Sequence, residues 1–251
     1  MTPLSHSLNR WLRHSGSALV PAALLLLPLP AARAQAGEAA RLSAPAAGLS
    51  QAPVDPLRFA SEIQAFLSSD RTNPPPQRGV VFVGSSSIRL WKTLPNDFPK
   101  QKVLNRGFGG SEIADSVRYF DQLVLPAKPR QIVLYAGGND INAGKSPEQV
   151  FADFRAFVEK VQQALPRTRV CYISIAPNPA RWTQVDRVRA ANALIHNYTA
   201  AHRGKLAFID VFPLMLGTNG LPKPEIFVED RLHMNEKGYA IWREKVGPFL
   251  R

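Results

Sequence analysis

Cysteine is nearly absent: Cys171 is the only one among 251 residues. No intramolecular disulfide can form, so the folded part must be held by its core alone. Cys171 itself lies in an apolar, strand-like run and reads as a small buried hydrophobe. Histidine is also scarce, with five in all and only His196, His202 and His233 beyond residue 34. His196 and His202 are six residues apart on a predicted helix, a spacing that neither aligns them for one metal nor gives either a neighbouring carboxylate. A metal site at His233 is disfavoured because no third ligand is visible. No Lys/Arg run with interleaved aromatics occurs, so nucleic acid is not an expected partner. No Gly-x-Ser-x-Gly elbow occurs either, which argues against an α/β-hydrolase fold. Gly144-Lys145-Ser146 resembles the end of a phosphate loop, but the glycine required five residues before Gly144 is Asn139, so the cradle is missing.

What is present begins with an export signal. Residues 1–34 carry Arg10 and Arg13, then an apolar run from Ala18 to Leu29, then Ala32-Arg33-Ala34 as a small-x-small cleavage site. The apolar run is about a dozen residues long and is interrupted by Pro21 and Pro28, too short and broken for a bilayer core of roughly 30 Å. An uncleaved anchor is the alternative. No cysteine follows the cleavage site to carry a lipid. Residues 35–55, rich in Ala, Gly, Ser, Pro and Gln without apolar period, read as a flexible linker. Residues 56–251 suit one domain. The chain carries +12, and removing the leader deletes Arg10, Arg13 and Arg33 and no acid, leaving +9. That balance predicts loose association with anionic envelope surfaces, with simple solubilisation as the alternative. Export leads to the periplasm or the medium, without a choice between them. Oligomeric state is not readable.

Apolar, β-branched runs recur at Val80 to Val83, Val103 to Leu104, Ile132 to Tyr135, Val170 to Ile175 and Leu206 to Val211. They read as buried parallel strands. Between and around them, helices are expected over Leu57 to Leu67, Ser111 to Leu123, Pro147 to Leu165, Thr183 to His202 and Asn235 to Leu250. The third is clearest, since Val150, Phe154, Phe157, Val158, Val161 and Leu165 recur every three or four residues between Pro147 and Pro166. Alternating strands and helices predict a doubly wound, three-layer α/β/α sandwich on a five-stranded parallel sheet, whose ligands bind beyond the carboxyl ends of the strands.

Three short blocks fall at such ends: Gly84-Ser85-Ser86-Ser87, Asn105-Arg106-Gly107-Phe108-Gly109-Gly110 and Gly137-Gly138-Asn139-Asp140. A fourth, Asp230-Arg231-Leu232-His233, precedes the last helix. A serine hydroxyl attacks an ester at neutral pH only when a base takes its proton, and that imidazole needs a carboxylate to fix its tautomer. His233 alone of the late histidines has one, Asp230, three residues before it. Gly110 can bring its backbone N–H close to a substrate, and the Asn139 carboxamide can donate to a developing oxyanion. Gly137 and Gly138 could admit an acyl group without a side-chain clash. Trp182, after the fourth strand, is a candidate wall for the acceptor side. Each block also has a structural reading: the serines and Asp230 as helix caps, the glycines as turns, Asn139 as a turn residue and Trp182 as packing.

In combination and order these blocks resemble the Ser, Gly, Asn and His blocks of the SGNH (GDSL-type) hydrolases over roughly residues 78 to 250. The Phe82 to Ser87 block and the Leu232 to Tyr239 tail are also similar to platelet-activating-factor acetylhydrolase catalytic subunits and bacterial lysophospholipase-like esterases. The resemblance implies a flavodoxin-like fold and a serine esterase without metal or cofactor, which the leader would export. In it Ser86 is the nucleophile, His233 the base and Asp230 its orienting acid, while Ser86, Gly110 and Asn139 form the oxyanion hole. One departure is Ser85, where the family usually has Asp, which leaves Ser85 and Ser87 as alternatives in register. The expected substrate is a small-molecule, glycan or lipid ester, with a short acyl group such as acetyl. A non-catalytic glycan-binding module of the envelope and an acyltransferase to sugar hydroxyls are the alternative functions.

Overall fold

Five strands, four of them largely apolar and one, Val103–Gly107, carrying Asn105 and Arg106, form one parallel sheet. The structure is a computed structural model and describes residues 57–251; the expected leader and linker lie outside them. The strands are β1 (Val80–Gly84), β2 (Val103–Gly107), β3 (Gln131–Tyr135), β4 (Arg169–Ile173) and β5 (Leu206–Ile209), in the sheet order β2-β1-β3-β4-β5. Helices occur as α1 (Ala60–Thr72), α2 (Ser86–Arg89), α3 (Leu94–Asp97), α4 (Ile113–Arg118), α5 (Phe120–Leu123), α6 (Gly138–Asn142), α7 (Pro147–Ala164), α8 (Val185–Ala201) and α9 (Glu236–Val246). None of those described is long and apolar enough to cross a membrane.

Parallel strands need helical crossovers, and the crossovers cover both faces of the sheet. The two-residue pleat divides the core accordingly. Val81, Val83, Ile132, Leu134, Val170 and Tyr172 face one layer, with Phe154, Phe157 and Val161 of α7 and Ala191 and Ile195 of α8. Val80, Phe82, Val133, Tyr135, Cys171 and Ile173 face the other, with Trp91, Leu94 and, from α9, Trp242 and Val246. Cys171 is fully buried there, and the Gln131 amide donates to its sulfur at 3.0 Å. The expected three-layer sandwich is the observed one.

Several boundaries differ from the sequence reading. The helix expected over Ser111 to Leu123 is two short helices, α4 and α5, parted at Tyr119 (ψ 10°). Tyr119 leaves helical geometry with its ring edge-on to Phe59 and Phe108. The first helix begins three residues later than expected and runs on to Thr72, where Asn73 and three prolines stop it. There its Asp70 carboxylate receives the buried Arg106 guanidinium from β2. The last helix ends at Val246 because Pro248 carries no N–H for another α-helical bond, and a 3₁₀ turn follows.

What positions the site is the register of the three neighbouring strands. Gly84 of β1 stands beside Gly107 of β2 and Tyr135 of β3, so the chain leaves all three strands at one level. Residues 85–87, 108–111 and 136–140 therefore emerge side by side. Gly84 has φ +134°, and a Cβ there would lie 1.9 Å from the Tyr135 carbonyl oxygen, so only glycine lets β1 turn out against β3 at this point.

Candidate active site

The residue leaving β1 through that turn is Ser86, the first residue of α2, with Ser85 as its N-cap. The Ser85 N–H donates to Tyr135 O at 2.9 Å, and Ser85 is buried. The Ser87 carbonyl accepts from the Tyr239 hydroxyl at 2.9 Å. Both flanking serines thus serve in holding the turn, and the Ser86 hydroxyl is the one that meets an imidazole.

That imidazole belongs to His233, on the segment between β5 and α9. This segment is built from turns: a bridge pairs Phe227 with Met234, and the Val228 N–H donates to His233 O at 2.9 Å. Arg231 has φ +58°, the left-handed region, and so closes the short loop that folds Asp230 back toward His233. Asn235 fixes the end of the loop. Its side-chain Oδ1 accepts from Lys237 N and Gly238 N and so caps α9, while its Nδ2 donates to Glu225 O and Phe227 O.

Asp230 Oδ1 accepts from the N–H groups of Leu232 and His233, both at 2.9 Å. Its other oxygen, Oδ2, lies 2.6 Å from His233 Nδ1, and His233 Nε2 lies 2.8 Å from Ser86 Oγ. An ionised carboxylate can only accept, so Nδ1 carries the hydrogen, and Nε2 is left to accept from the serine hydroxyl. Desolvation pushes the Asp230 carboxyl up, but the hydrogen bonds from His233 and Leu232 outweigh it and hold the pKa at about 2. The carboxylate therefore stays charged at neutral pH, and an imidazolium formed by taking the serine proton would be stabilised where it forms.

Across the turn, the Asn139 side chain is held at both ends. Its Nδ2 donates to Ser111 O at 2.9 Å and its Oδ1 accepts from Arg181 at 3.0 Å. The bond to Ser111 ties the carboxamide to the residue that follows Gly110. Gly110 has φ +74°, and its carbonyl accepts from Arg58. Among the described residues, neither the Ser86 N–H nor the Gly110 N–H has a backbone or side-chain acceptor, and one N–H of the Asn139 amide remains free of protein partners. Gly137, at φ +113°, makes the turn from β3 into α6, and a Cβ on it would lie 2.8 Å from Ile175 Cδ1.

A pocket of ≈ 40 Å³ opens over Ser86 and His233, bounded by Tyr135, Gly138, Asn139, Arg181, Phe227 and Trp242. Gly110 and Gly137 lie outside that lining, and so does Trp182. It walls an adjoining pocket of ≈ 20 Å³ that shares Gly138 and Arg181 with the first, and the Arg189 guanidinium lies 5.8 Å over its ring.

Four further residues hold these groups in place, and none of them was singled out for that role in the sequence. Asp140, fully buried, accepts from the Ile113 N–H at 3.2 Å and from Lys145 at 3.3 Å, so it ties α6 to the segment carrying Gly110 and Ser111. Burial raises its pKa to about 6, with Glu112 adding and Lys145 opposing. Lys145, the lysine of the phosphate-loop lookalike, also pairs with Glu112 at 2.8 Å and Asp153 at 2.6 Å. Asn235 could have been found as the polar residue opening the last apolar period. Arg181 had no comparable signal.

Comparison with known proteins gives a family model, related sequences and structures of the same fold. Residues 80–241 match the model of the GDSL-like lipase/acylhydrolase family. The bovine platelet-activating factor acetylhydrolase IB subunit alpha1 is 28% identical over 174 residues, covering 64% of this chain and 70% of that protein. Among solved structures, a putative platelet activating factor protein from Streptococcus pneumonia superposes with a TM-score of 0.68 at 19% identity, over 78% of this chain and 94% of its own. A mutant of the acetyl-xylooligosaccharide esterase Axe2 from Geobacillus Stearmophilus does so at 0.54 and 13%, over 68% and 93%. At such identities the superpositions speak for the fold; the family model extends over most of the described residues. The chain belongs to the GDSL-like lipase/acylhydrolase family, the SGNH hydrolases, and is a carboxylic ester hydrolase.

Proposed function

We propose that this hydrolase cleaves short-acyl esters, of the acetyl class, on glycans or lipids through a Ser86-His233-Asp230 triad and an acyl-enzyme. The observation that carries the reading is the unbroken line from Asp230 Oδ2 to His233 Nδ1 at 2.6 Å and from Nε2 to Ser86 Oγ at 2.8 Å. Ser86 Oγ attacks the ester carbonyl carbon as its proton passes to Nε2. The carbonyl oxygen becomes an oxyanion and receives the Ser86 and Gly110 N–H groups and the free Asn139 amide N–H. The tetrahedral adduct collapses, the C–O bond to the alcohol breaks, and the departing oxygen takes the proton from His233. A water then repeats the sequence on the acyl-serine and releases the carboxylic acid.

The acyl preference is supported by the pocket of ≈ 40 Å³. The bovine relative is an acetylhydrolase by name, and the Geobacillus protein acts on acetylated xylooligosaccharides by name. The leader-like residues 1–34 support export to the periplasm or the medium.

Hydrolysis of nitrophenyl acetate, butyrate and octanoate by the wild-type chain and by Ser86→Ala tests the reading. The expected result is fast acetate turnover, a steep decline with chain length, and loss of nearly all activity in the variant. Equal rates for the two proteins would remove Ser86 from the mechanism, and a preference for octanoate would remove the acetyl assignment.

A further inference from the structure

Arg181 is a half-buried cation at the wall shared by the two pockets, and among the described residues no carboxylate lies within ion-pair distance of it. Its Nη1 donates to Gly138 O at 3.1 Å and to Asn139 Oδ1 at 3.0 Å. A charge removed from water ordinarily has a counter-charge, and here both acceptors are neutral oxygens of the block that leaves β3. The placement is fixed from two sides. The Asn178 side chain accepts from the Arg181 N–H at 2.9 Å, and the Ala180 N–H donates to the carbonyl of Arg231, in the turn between Asp230 and His233, at 3.1 Å.

A guanidinium has no acceptor lone pair. Whatever atom of Asn139 faces it must be the carboxamide oxygen, so the nitrogen is turned toward Ser111 and the reaction pocket. The cation also draws electron density toward Oδ1, and a hydrogen bond accepted at one end of an amide strengthens the donor at the other. A positive charge one side chain away from the reacting carbonyl gains its missing counter-charge only when the oxyanion forms.

We propose that Arg181 is a positioning residue of the oxyanion site: it sets the orientation of the Asn139 carboxamide and sharpens its N–H as a donor, so that its benefit appears in the transition state and reaches the substrate through Asn139. This rests on the oxyanion role given to Asn139 above.

A double-mutant cycle with Arg181→Met and Asn139→Ala, read as kcat and KM on nitrophenyl acetate with the thermal midpoint of each protein, tests both levels separately. Expected for Arg181→Met alone is a fall in kcat of about 10- to 100-fold, the range of a charge-assisted hydrogen bond, with KM within about threefold of wild type and the fold retained. In the Asn139→Ala background the same substitution is expected to change kcat less than about threefold. Arg181→Lys, which keeps a cationic donor, is expected to recover part of the loss, and it also supplies the cycle if the methionine variant does not fold. An undiminished effect of the Arg181 change in the Asn139→Ala background, or an effect confined to KM, overturns the proposal. Wild-type kcat in Asn139→Ala overturns the oxyanion role itself, a different outcome.

Discussion

At the scale of single residues, Asp230 does three things with two oxygens: it closes its own loop, fixes the tautomer of His233 and supplies the charge opposite a protonated ring. Asp230→Asn retains one carbonyl oxygen, which can accept from the two loop N–H groups, but it cannot be an anion, and its amide nitrogen disfavours a hydrogen on Nδ1. The expected result is a loss of about 1,000- to 10,000-fold in kcat with the fold preserved; a loss under about tenfold would place the orienting acid elsewhere. Because the carboxyl pKa lies at about 2, its protonation is not expected to shape the activity profile anywhere near neutral pH.

Among elements, the sheet and the segment before α9 divide the work. The proposed nucleophile and oxyanion donors come off adjacent strands at one level, whereas the proposed base, His233, arrives on a turn-built strap that Asn235 pins at both ends of its carboxamide. Asn235→Ala removes the α9 cap and the grip on Glu225 O and Phe227 O together. A lost cap alone costs about 0.5–2 kcal/mol. If capping were its whole contribution, Asn235→Asp would restore stability, since aspartate caps equally well. The expectation is that it does not, because a carboxylate then faces two carbonyl oxygens, and chemical denaturation of the three proteins decides.

Over the whole molecule, Asp140 links the strand-end segments through Ile113 and Lys145. Its pKa is raised from 3.8 to about 6 by burial, so the folded chain holds a proton that the unfolded chain has released between those values. This group's contribution to stability is complete below the unfolded value and is lost as pH rises through about 6. Thermal midpoints of wild type and Asp140→Asn at about pH 5 and about pH 7.5 should therefore diverge, wild type losing stability relative to the variant on the alkaline side. A constant difference would mean that Lys145 keeps Asp140 ionised throughout.

The sheet was legible in the sequence because strands buried on both faces read as continuous apolar runs, and the order of helices followed from their three- and four-residue periods. The break at Tyr119 was not, since apolar spacing continues through it while the backbone does not. In the site, Ser86 and His233 stood out by their position after Gly84 and by the scarcity of histidine. Arg181 could not, as one of 31 Lys and Arg residues whose role depends on a loop fold and not on a neighbour in the chain.

A hydrogen bond from the Ala180 N–H to the Arg231 carbonyl joins the loop after β4 to the loop before α9. Through it, the arm that steadies the amide and the arm that delivers the imidazole are fastened to each other at their tips. Insertions in either loop would have to preserve that clasp, so variation in what this enzyme accepts is best sought on the outer sides of both loops, beyond the point where they touch.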